Sequence, residues 1–295
     1  MSPTKIRGSF FSRISAIAGT TFVELVRQKV FYFLLIFALL IIGNSAFMVK
    51  FSFLEEFQML KDVSLGAMAI FTSLLAILGT AMLIPKDIEE RTIYTILAKP
   101  IPRYEYLLGK LTGIFTLLLL STILMSIMFL TVLWFREQSV IAETQAQLAG
   151  APPEELKHAL EGIRSATFNI NLLPGIIIIF MKAALLAAMT LLISSFATSS
   201  IFGIITATAI YFIGHLQATA RDFWLAGVDT QWWTRALTAL LALLFPDLQA
   251  FSLADDVVAG TAIPAAVFWQ TFVLGWIYIA VYYSLASYIF SGREL

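Results

Sequence analysis

The sequence predicts an all-α membrane protein with six transmembrane helices. Its 295 residues are 59% hydrophobic and only 13% charged, and its mean hydropathy is +0.87. This composition is typical of polytopic membrane proteins and leaves no room for a large soluble domain. Six apolar runs are each long enough to cross a bilayer as a helix. The predicted spans cover about 30–49, 63–85, 111–135, 172–195, 201–217 and 265–290.

Residues 1–29 precede the first span and predict a helix at the cytoplasmic membrane interface. Apolar residues form one stripe along this segment, while Arg13, Glu24 and Arg27 lie elsewhere on the helix. The apolar run that follows lacks a small-residue cleavage site, so we expect a retained span rather than a signal peptide. Residues 30–295 are predicted to form a single six-span domain.

The longest charged interruption in the first half of the chain is the segment 86–110, between the second and third spans. Apolar residues fall at helical spacing on one side of Asp87–Leu97, and charged residues at i and i+4 lie on another. Pro100 and Pro102 then interrupt the helix before a new one enters the third span. The segment is therefore predicted to form a short amphipathic helix, a rigid elbow and a second helix.

Two outer segments, 136–171 and 218–264, separate the later spans. The first is rich in Glu, Gln, Ala and Lys and predicts two short helices, the second of which starts at Pro153. For this segment, a role as a cap that packs against the spans is favoured over a role as a substrate gate. In the second outer segment, Ala236–Phe245 is about ten apolar residues long and too short to cross the bilayer. Because Pro246 ends this run, we predict a re-entrant or interfacial helix before the last span.

The distribution of charge predicts the orientation. With both termini in the cytoplasm, eleven of the nineteen Lys and Arg residues fall inside and seven outside, while thirteen of the nineteen Asp and Glu residues fall outside. The positive-inside rule favours this arrangement. It places the segment 86–110 in the cytoplasm.

Several kinds of chemistry are excluded by composition and spacing. The chain has no cysteine and a net charge of zero, which excludes thiolate chemistry and gives no basis for nucleic-acid binding. Gly109-Lys110-Leu111-Thr112 lacks the upstream glycine and the strand of a phosphate-binding loop. The two histidines, His158 and His215, have no metal-ligand spacing. We therefore expect no enzymatic activity, no metal and no cofactor in this chain.

A family resemblance rests on the segment 86–110. Glu90-Arg91-Thr92, Leu97, Lys99-Pro100, Arg103 and Gly109-Lys110 resemble the cytoplasmic loop of type two ABC transporter permeases, the transmembrane subunits of ABC exporters. Arg91 stands where that family most often has glycine. The tight polar turn Ser194–Ser200, between spans four and five, is also similar to the family.

The resemblance implies that Asp87–Leu97 is a coupling helix that docks on a separate ATP-hydrolysing subunit. Glu24 and Arg27 are further candidates for contact with the ATPase, and an ordinary surface pair is an equal alternative for them. The candidate coupling residues are Asp87, Glu89, Glu90, Arg91, Thr92, Tyr94, Leu97, Arg103, Glu24 and Arg27.

The family also implies an assembly. Two permease subunits, identical or related, would form a translocation path at their interface, largely from spans two and five, in the bacterial inner membrane. Two ATPase subunits would bind ATP and Mg²⁺ below them. Asp247-Leu248-Gln249-Ala250-Phe251 resembles a Pro-Asn-Leu-x-x-Phe segment of permeases associated with multicopper-enzyme maturation. That resemblance implies a copper-enzyme or sulfur-related cargo, whereas an apolar path would suit lipids or hydrophobic drugs.

Two alternatives belong to other functional classes. One is a self-sufficient secondary transporter or channel, which several intramembrane acids or broken helices would favour. The other is a membrane component that acts mechanically on a periplasmic partner without transporting. Lys182 is the single charge inside a predicted span and so marks a candidate functional site. It could line the translocation path, extend outward to the interface or pair with an outer acid.

Overall fold

A computed structural model describes residues 10–45, 53–91, 102–150, 152–169, 171–225, 232–233, 245–252 and 264–293. These residues contain no strand, which confirms the predicted all-α class. The helices are α1 (Phe10–Val26), α2 (Lys29–Asn44), α3 (Phe53–Glu89), α4 (Arg103–Gln147), α5 (Pro153–Thr167), α6 (Leu172–Phe196), α7 (Ser200–Leu225) and α8 (Ala265–Ser291). The predicted re-entrant helix Ala236–Phe245 lies almost wholly outside the described residues.

Five stretches of helix are long and apolar enough to cross a membrane, and α1 together with α2 makes a sixth candidate, bent by 68°. The α2 helix alone has 16 residues, fewer than the roughly 20 that a membrane span requires. The end of the predicted first span, beyond Ser45, lies outside the described residues. The count of five or six agrees with a polytopic membrane protein.

The two longest helices, α3 with 37 residues and α4 with 45 residues, extend past the predicted spans. The first of the two predicted outer helices is a continuation of α4 through Gln147, because no Gly or Pro interrupts the chain between Phe135 and Gln147. The helix predicted to start at Pro153 is present as α5.

Helix α3 continues through Pro85 and ends at Glu89. Proline has no N–H for the carbonyl four residues earlier, which here belongs to Ala81. The hydroxyl of Ser194, on α6, lies 3.4 Å from that carbonyl oxygen and donates to it. A neighbouring helix thus replaces the missing donor. Residues Asp87–Glu89 are consequently the last turn of α3 and not the start of a separate coupling helix.

The centre of the bundle is α6, which is buried on nearly all sides. Helices that are apolar all round are expected inside a bundle. The run Ala183-Ala184-Leu185-Leu186-Ala187-Ala188 is at most 1% exposed, and its small side chains let neighbouring helices approach closely. Helices α3, α4, α7 and α8 pack around it.

Helix α1 packs lengthwise along the first turns of α4, in the same direction. Arg13 pairs with Glu105, 92 positions later, and the same offset relates Ile17 to Gly109 and Thr21 to Gly113. A Cβ atom at Gly109 would lie 2.6 Å from the Cβ of Ile17, closer than any real contact. The Gly-x-x-x-Gly spacing therefore lets the two backbones meet.

Candidate functional site

Charged side chains from three helices meet where α3 ends and α4 begins. Lys86 Nζ lies 2.8 Å from Glu24 Oε1, and Lys110 Nζ lies 2.7 Å from Asp87 Oδ2 and 3.6 Å from Glu24 Oε2. Glu24 belongs to α1, Lys86 and Asp87 to α3, and Lys110 to α4. We call these four residues the ion cluster. Their two acids and two bases balance, as buried charges require.

The centre of the ion cluster is shielded from solvent. Lys110 is 4% and Asp87 6% exposed, so their attraction is only weakly screened. The hydroxyl of Tyr106 donates a short hydrogen bond to Asp87, and the ring of Tyr106 stacks on Phe290 with centroids 5.8 Å apart. Because Phe290 lies on α8, Tyr106 links the ion cluster to the last helix.

A second ion pair ties α1 to α4 one turn before the cluster. The Nε and Nη2 atoms of Arg13 each lie 2.7 Å from an oxygen of Glu105. Glu105 is 1% exposed. Two parallel N–H···O bonds of this kind are among the strongest charge-assisted contacts. The ion cluster therefore rests on a helix pair that is itself fixed. We call this end of the bundle, which carries Lys86, Arg103, Lys110 and Arg293, the basic end.

The predicted coupling residues divide into three groups. Asp87 and Glu24 belong to the ion cluster, and Arg103 contacts backbone carbonyls at the end of α8. Four other candidates are exposed near the ion cluster: Glu89, Glu90, Arg91 and Arg27. Oε1 of Glu90 lies 3.9 Å from Nζ of Lys86. Thr92, Tyr94 and Leu97 lie outside the described residues.

The backbone at Arg91 has a φ of +56°, in the left-handed region that favours glycine. The N–H of Arg91 donates to the carbonyl of Ile88 at 3.1 Å, so Arg91 stands just past the end of α3. Glycine is the usual residue at this position of a helix end. The φ at Arg91 gives a physical reason for the glycine in the family pattern, and it interrupts the helix predicted over Asp87–Leu97.

Glu105 and Tyr106 are absent from the predicted site residues, and Lys110 was named only within the Gly109-Lys110 motif of the family resemblance. All three are buried. The available signal was Gly109-x-x-x-Gly113, which indicates close helix packing around Lys110. A lysine between two such glycines is expected to be covered and to need an acid.

Lys182 lies on α6 and turns towards α7. Its Nζ atom is 2.9 Å from Nε2 of His215, and the side chain is 5% exposed. Nδ1 of His215 lies 3.0 Å from the carbonyl oxygen of Tyr211, so Nδ1 carries a proton and donates it. Nε2 is then free to accept from the Lys182 ammonium. The side chain is therefore held inside the bundle and does not extend outward to the interface.

The described residues contain no group of three or more His, Cys, Asp or Glu side chains that could hold a metal ion. In a comparison with protein families, the model of the ABC-2 family transporter protein matches residues 15–295. The chain belongs to the ABC-2 transporter family. The match confirms the resemblance to type two ABC permeases and takes in α2–α8 and most of α1. This ABC-2 family chain is a membrane component of an ABC transporter, a class that associates with an ABC ATPase subunit. A search of curated proteins found no match.

Proposed function

We propose that this ABC-2 family chain is the permease subunit of an ATP-driven exporter and is moved by a separate ATPase at its basic end. The observation that carries the proposal is the ion cluster, because it joins α1, α3 and α4 directly beside the exposed residues Glu89, Glu90 and Arg91. A force applied to the end of α3 reaches α4 through the buried Lys110–Asp87 pair and α1 through the partly exposed Lys86–Glu24 pair. The proposed direction of transport, export, comes from the family resemblance.

In this mechanism two ATPase subunits bind ATP and Mg²⁺ and draw together. Glu89, Glu90, Arg91 and Thr92 contact the ATPase, and Tyr94, Leu97 and Arg27 are further candidates for the same contact. The ion cluster makes α1, α3 and α4 move as one body, since separating Lys110 from Asp87 would leave buried charges without partners. The result is a rigid-body switch between two arrangements of the spans.

A second copy of the chain, or a related subunit, would complete the translocation path along α7. Of the five stretches that are long enough to span by themselves, the one in α7 is the least buried, with 17% of its apolar window inside the bundle. Ile201, Ile205 and Leu216 are each more than 60% exposed. Lys182 and His215 lie behind this face, so we assign them to the path. Both termini are in the cytoplasm and the membrane is the bacterial inner membrane in this proposal.

The test is a mild-detergent pull-down of the tagged chain from its native membranes, followed by mass spectrometry. We expect a soluble ATPase to copurify with the wild type and to be lost from Glu90→Lys and Arg91→Glu. Glu154→Lys is the matched control, because Glu154 is exposed on α5, away from the basic end. If the folded wild-type chain brings down no ATPase, the permease proposal fails.

A further inference from the structure

We propose that Arg103 and Arg293 act in series as positioning residues that carry motion from the start of α4 to α8 and then to the turn between α6 and α7. This inference rests on the proposed function, because it names the residues through which ATP-driven movement would reach α7. Arg103 was predicted as a candidate coupling residue, with no link to α8. Arg293 was not predicted at all.

The first link joins α4 to the end of α8. Arg103 is the first residue of α4, and its Nη1 atom lies 3.0 Å from the carbonyl oxygen of Phe290 and 2.9 Å from those of Ser291 and Arg293. The last carbonyls of a helix have no partner within the helix and carry partial negative charge. The guanidinium of Arg103 therefore holds the end of α8 from outside it.

The second link joins the end of α8 to the end of α6. Arg293 lies two residues past the end of α8, and its Nη1 atom is 3.0 Å from the carbonyl oxygen of Ser195. Its Nη2 atom is 3.1 Å from the carbonyl oxygen of Ala197. Since Arg103 binds the carbonyl of Arg293, the two contacts share a residue. Displacing Arg103 would thus displace the group that holds α6.

The turn after α6 passes the movement on to α7. Only residues 197–199 separate the two helices, so the end of α6 cannot shift without shifting the start of α7. At that start, the Gly203 N–H donates to the Ser199 carbonyl at 3.2 Å. The Gly203 backbone also lies against Ala81 of α3. The path from α4 ends on the helix that we assign to the translocation path.

Helix capping alone does not require this arrangement. Neither α6 nor α8 has a basic residue in its last turn, where a local side chain would meet the same electrostatic need. Each helix is held instead by an arginine from outside it, and Arg103 is 187 positions from Phe290. A link between distant elements, repeated twice in series, makes the basic end one connected unit.

The series order has a test that needs no ATPase. Hydrogen exchange of the purified chain in lipid nanodiscs should be compared for Arg103→Met and Arg293→Met, in peptides that cover 286–293 and 193–203. Arg103→Met should accelerate exchange in both peptides by about tenfold, the factor expected for loss of a charge-assisted hydrogen bond. Arg293→Met should accelerate hydrogen exchange only in peptide 193–203. If Arg103→Met accelerated hydrogen exchange in peptide 286–293 but not in peptide 193–203, the proposed series order would be wrong.

The functional half of the proposal is tested with a labelling reaction in native membranes. The chain has no cysteine, so a maleimide can report on Ile201→Cys alone, at the exposed start of α7. ATP with vanadate should change the labelling rate in the wild-type background, and Arg103→Met or Arg293→Met should abolish that change while the ATPase still copurifies. Arg103→Lys should restore part of it, and Arg164→Met, on the exposed face of α5, should leave it intact.

Outcomes of these two measurements separate the two proposals. Failure of the ATPase to copurify with the wild type refutes the proposed function, and the exchange experiment still decides the series link. A full nucleotide response in both arginine-to-methionine variants, with the ATPase bound, refutes the inference and leaves the proposed function standing.

Discussion

Lys110 Nζ lies 2.7 Å from Asp87 Oδ2, and the two side chains are 5% and 8% exposed. The pair joins the end of α3 to the first turns of α4, at the two ends of the segment that we propose to contact the ATPase. A buried pair of this kind adds little stability over two apolar residues of the same shape, but breaking one partner is costly. Its value is that it makes relative movement of the two helices unfavourable.

Replacing one partner should therefore destabilise the chain far more than replacing both. Lys110→Met leaves the carboxylate of Asp87 buried without its cation and should lower the free energy of unfolding by about 3–5 kcal/mol. Asp87→Asn combined with Lys110→Met should recover most of that loss, because the neutral amide still accepts from Tyr106. Unfolding in mixed detergent measures each variant.

Lys157→Met is the control for the loss of a lysine, since Lys157 is exposed on α5. It should change stability by less than about 0.5 kcal/mol. Strictly additive effects of Asp87→Asn and Lys110→Met would contradict the pairing.

Close packing of α1 on α4 gives a second prediction. A Cβ atom at Gly109 would lie 2.6 Å from Ile17, and one at Gly113 would lie 2.7 Å from Thr21. Gly109→Ala should cost about 1–3 kcal/mol through overpacking and loosen α1. Limited proteolysis near residue 27, together with thermal unfolding, would detect the loosening.

A glycine with open space around it provides the comparison. At Gly162, inside α5, an alanine Cβ would meet no atom within 4 Å beyond its chain neighbours and the adjacent backbone of its own helix, so Gly162→Ala should stabilise the helix by roughly 0.5–1 kcal/mol. Equal stability of Gly109→Ala and Gly162→Ala would show that α1 does not pack against Gly109.

The left-handed backbone at Arg91 predicts an unusual stabilising substitution. Its φ of +56° costs a residue with a Cβ about 1–2 kcal/mol relative to glycine. Arg91→Gly should therefore raise the melting temperature, and Arg91→Val should lower it further than other substitutions. Glu90→Gly is the neighbouring control and should destabilise, because Glu90 gains nothing from the freedom of glycine. A lower melting temperature for Arg91→Gly would refute the backbone argument.

Arg91→Gly also separates two roles of one residue. In the pull-down it should weaken recovery of the ATPase through loss of charge while the chain itself becomes more stable. A variant that is more stable and still fully bound would assign Arg91 to the backbone role alone.

Hydropathy was sufficient to predict the fold class and most of the spans, because a helix in lipid must satisfy its own backbone. The positions of the helix ends were harder to predict from the sequence. The continuation of α3 through Pro85 depends on Ser194, which donates to the Ala81 carbonyl that the proline leaves free, 113 positions away in the sequence. A local pattern contains no information about such a partner.

In the candidate site, too, some residues could be predicted from the sequence and others depend on distant partners. Exposed members such as Glu90 and Arg91 were predicted from their charges and from the family resemblance. The buried Glu105 was missed because it is defined by its partner, Arg13 on α1. Lys110 was noticed only as part of the Gly109-Lys110 motif, and its contact with Glu24 on α1 depends on the packing at Gly109 and Gly113. Lys182 was noticed as a charge within a span, but its partner His215 could not be chosen from sequence among the outer polar groups.

The Lys182–His215 contact predicts a single protonation state for the histidine. The Nδ1 atom faces a carbonyl and the Nε2 atom faces an ammonium, so the ring must be neutral at pH 7 with its proton on Nδ1. His158→Gln would leave His215 as the sole histidine, and its ¹⁵N spectrum in nanodiscs should show this one tautomer. Lys182→Met should shift the Nε2 resonance, because the donor to that nitrogen is lost, while the Tyr211 carbonyl keeps the proton on Nδ1.

The same substitution tests the path assignment. If Lys182 lines the path, Lys182→Met should reduce transport by the reconstituted complex while expression and ATPase binding stay unchanged, because the charge is removed and the helix packing is kept. Lys157→Met again serves as the control. A spectrum with both ring nitrogens protonated would refute the contact itself. Unchanged transport together with the expected tautomer would make the pair a structural link between α6 and α7, since the contact would then be present without serving the path.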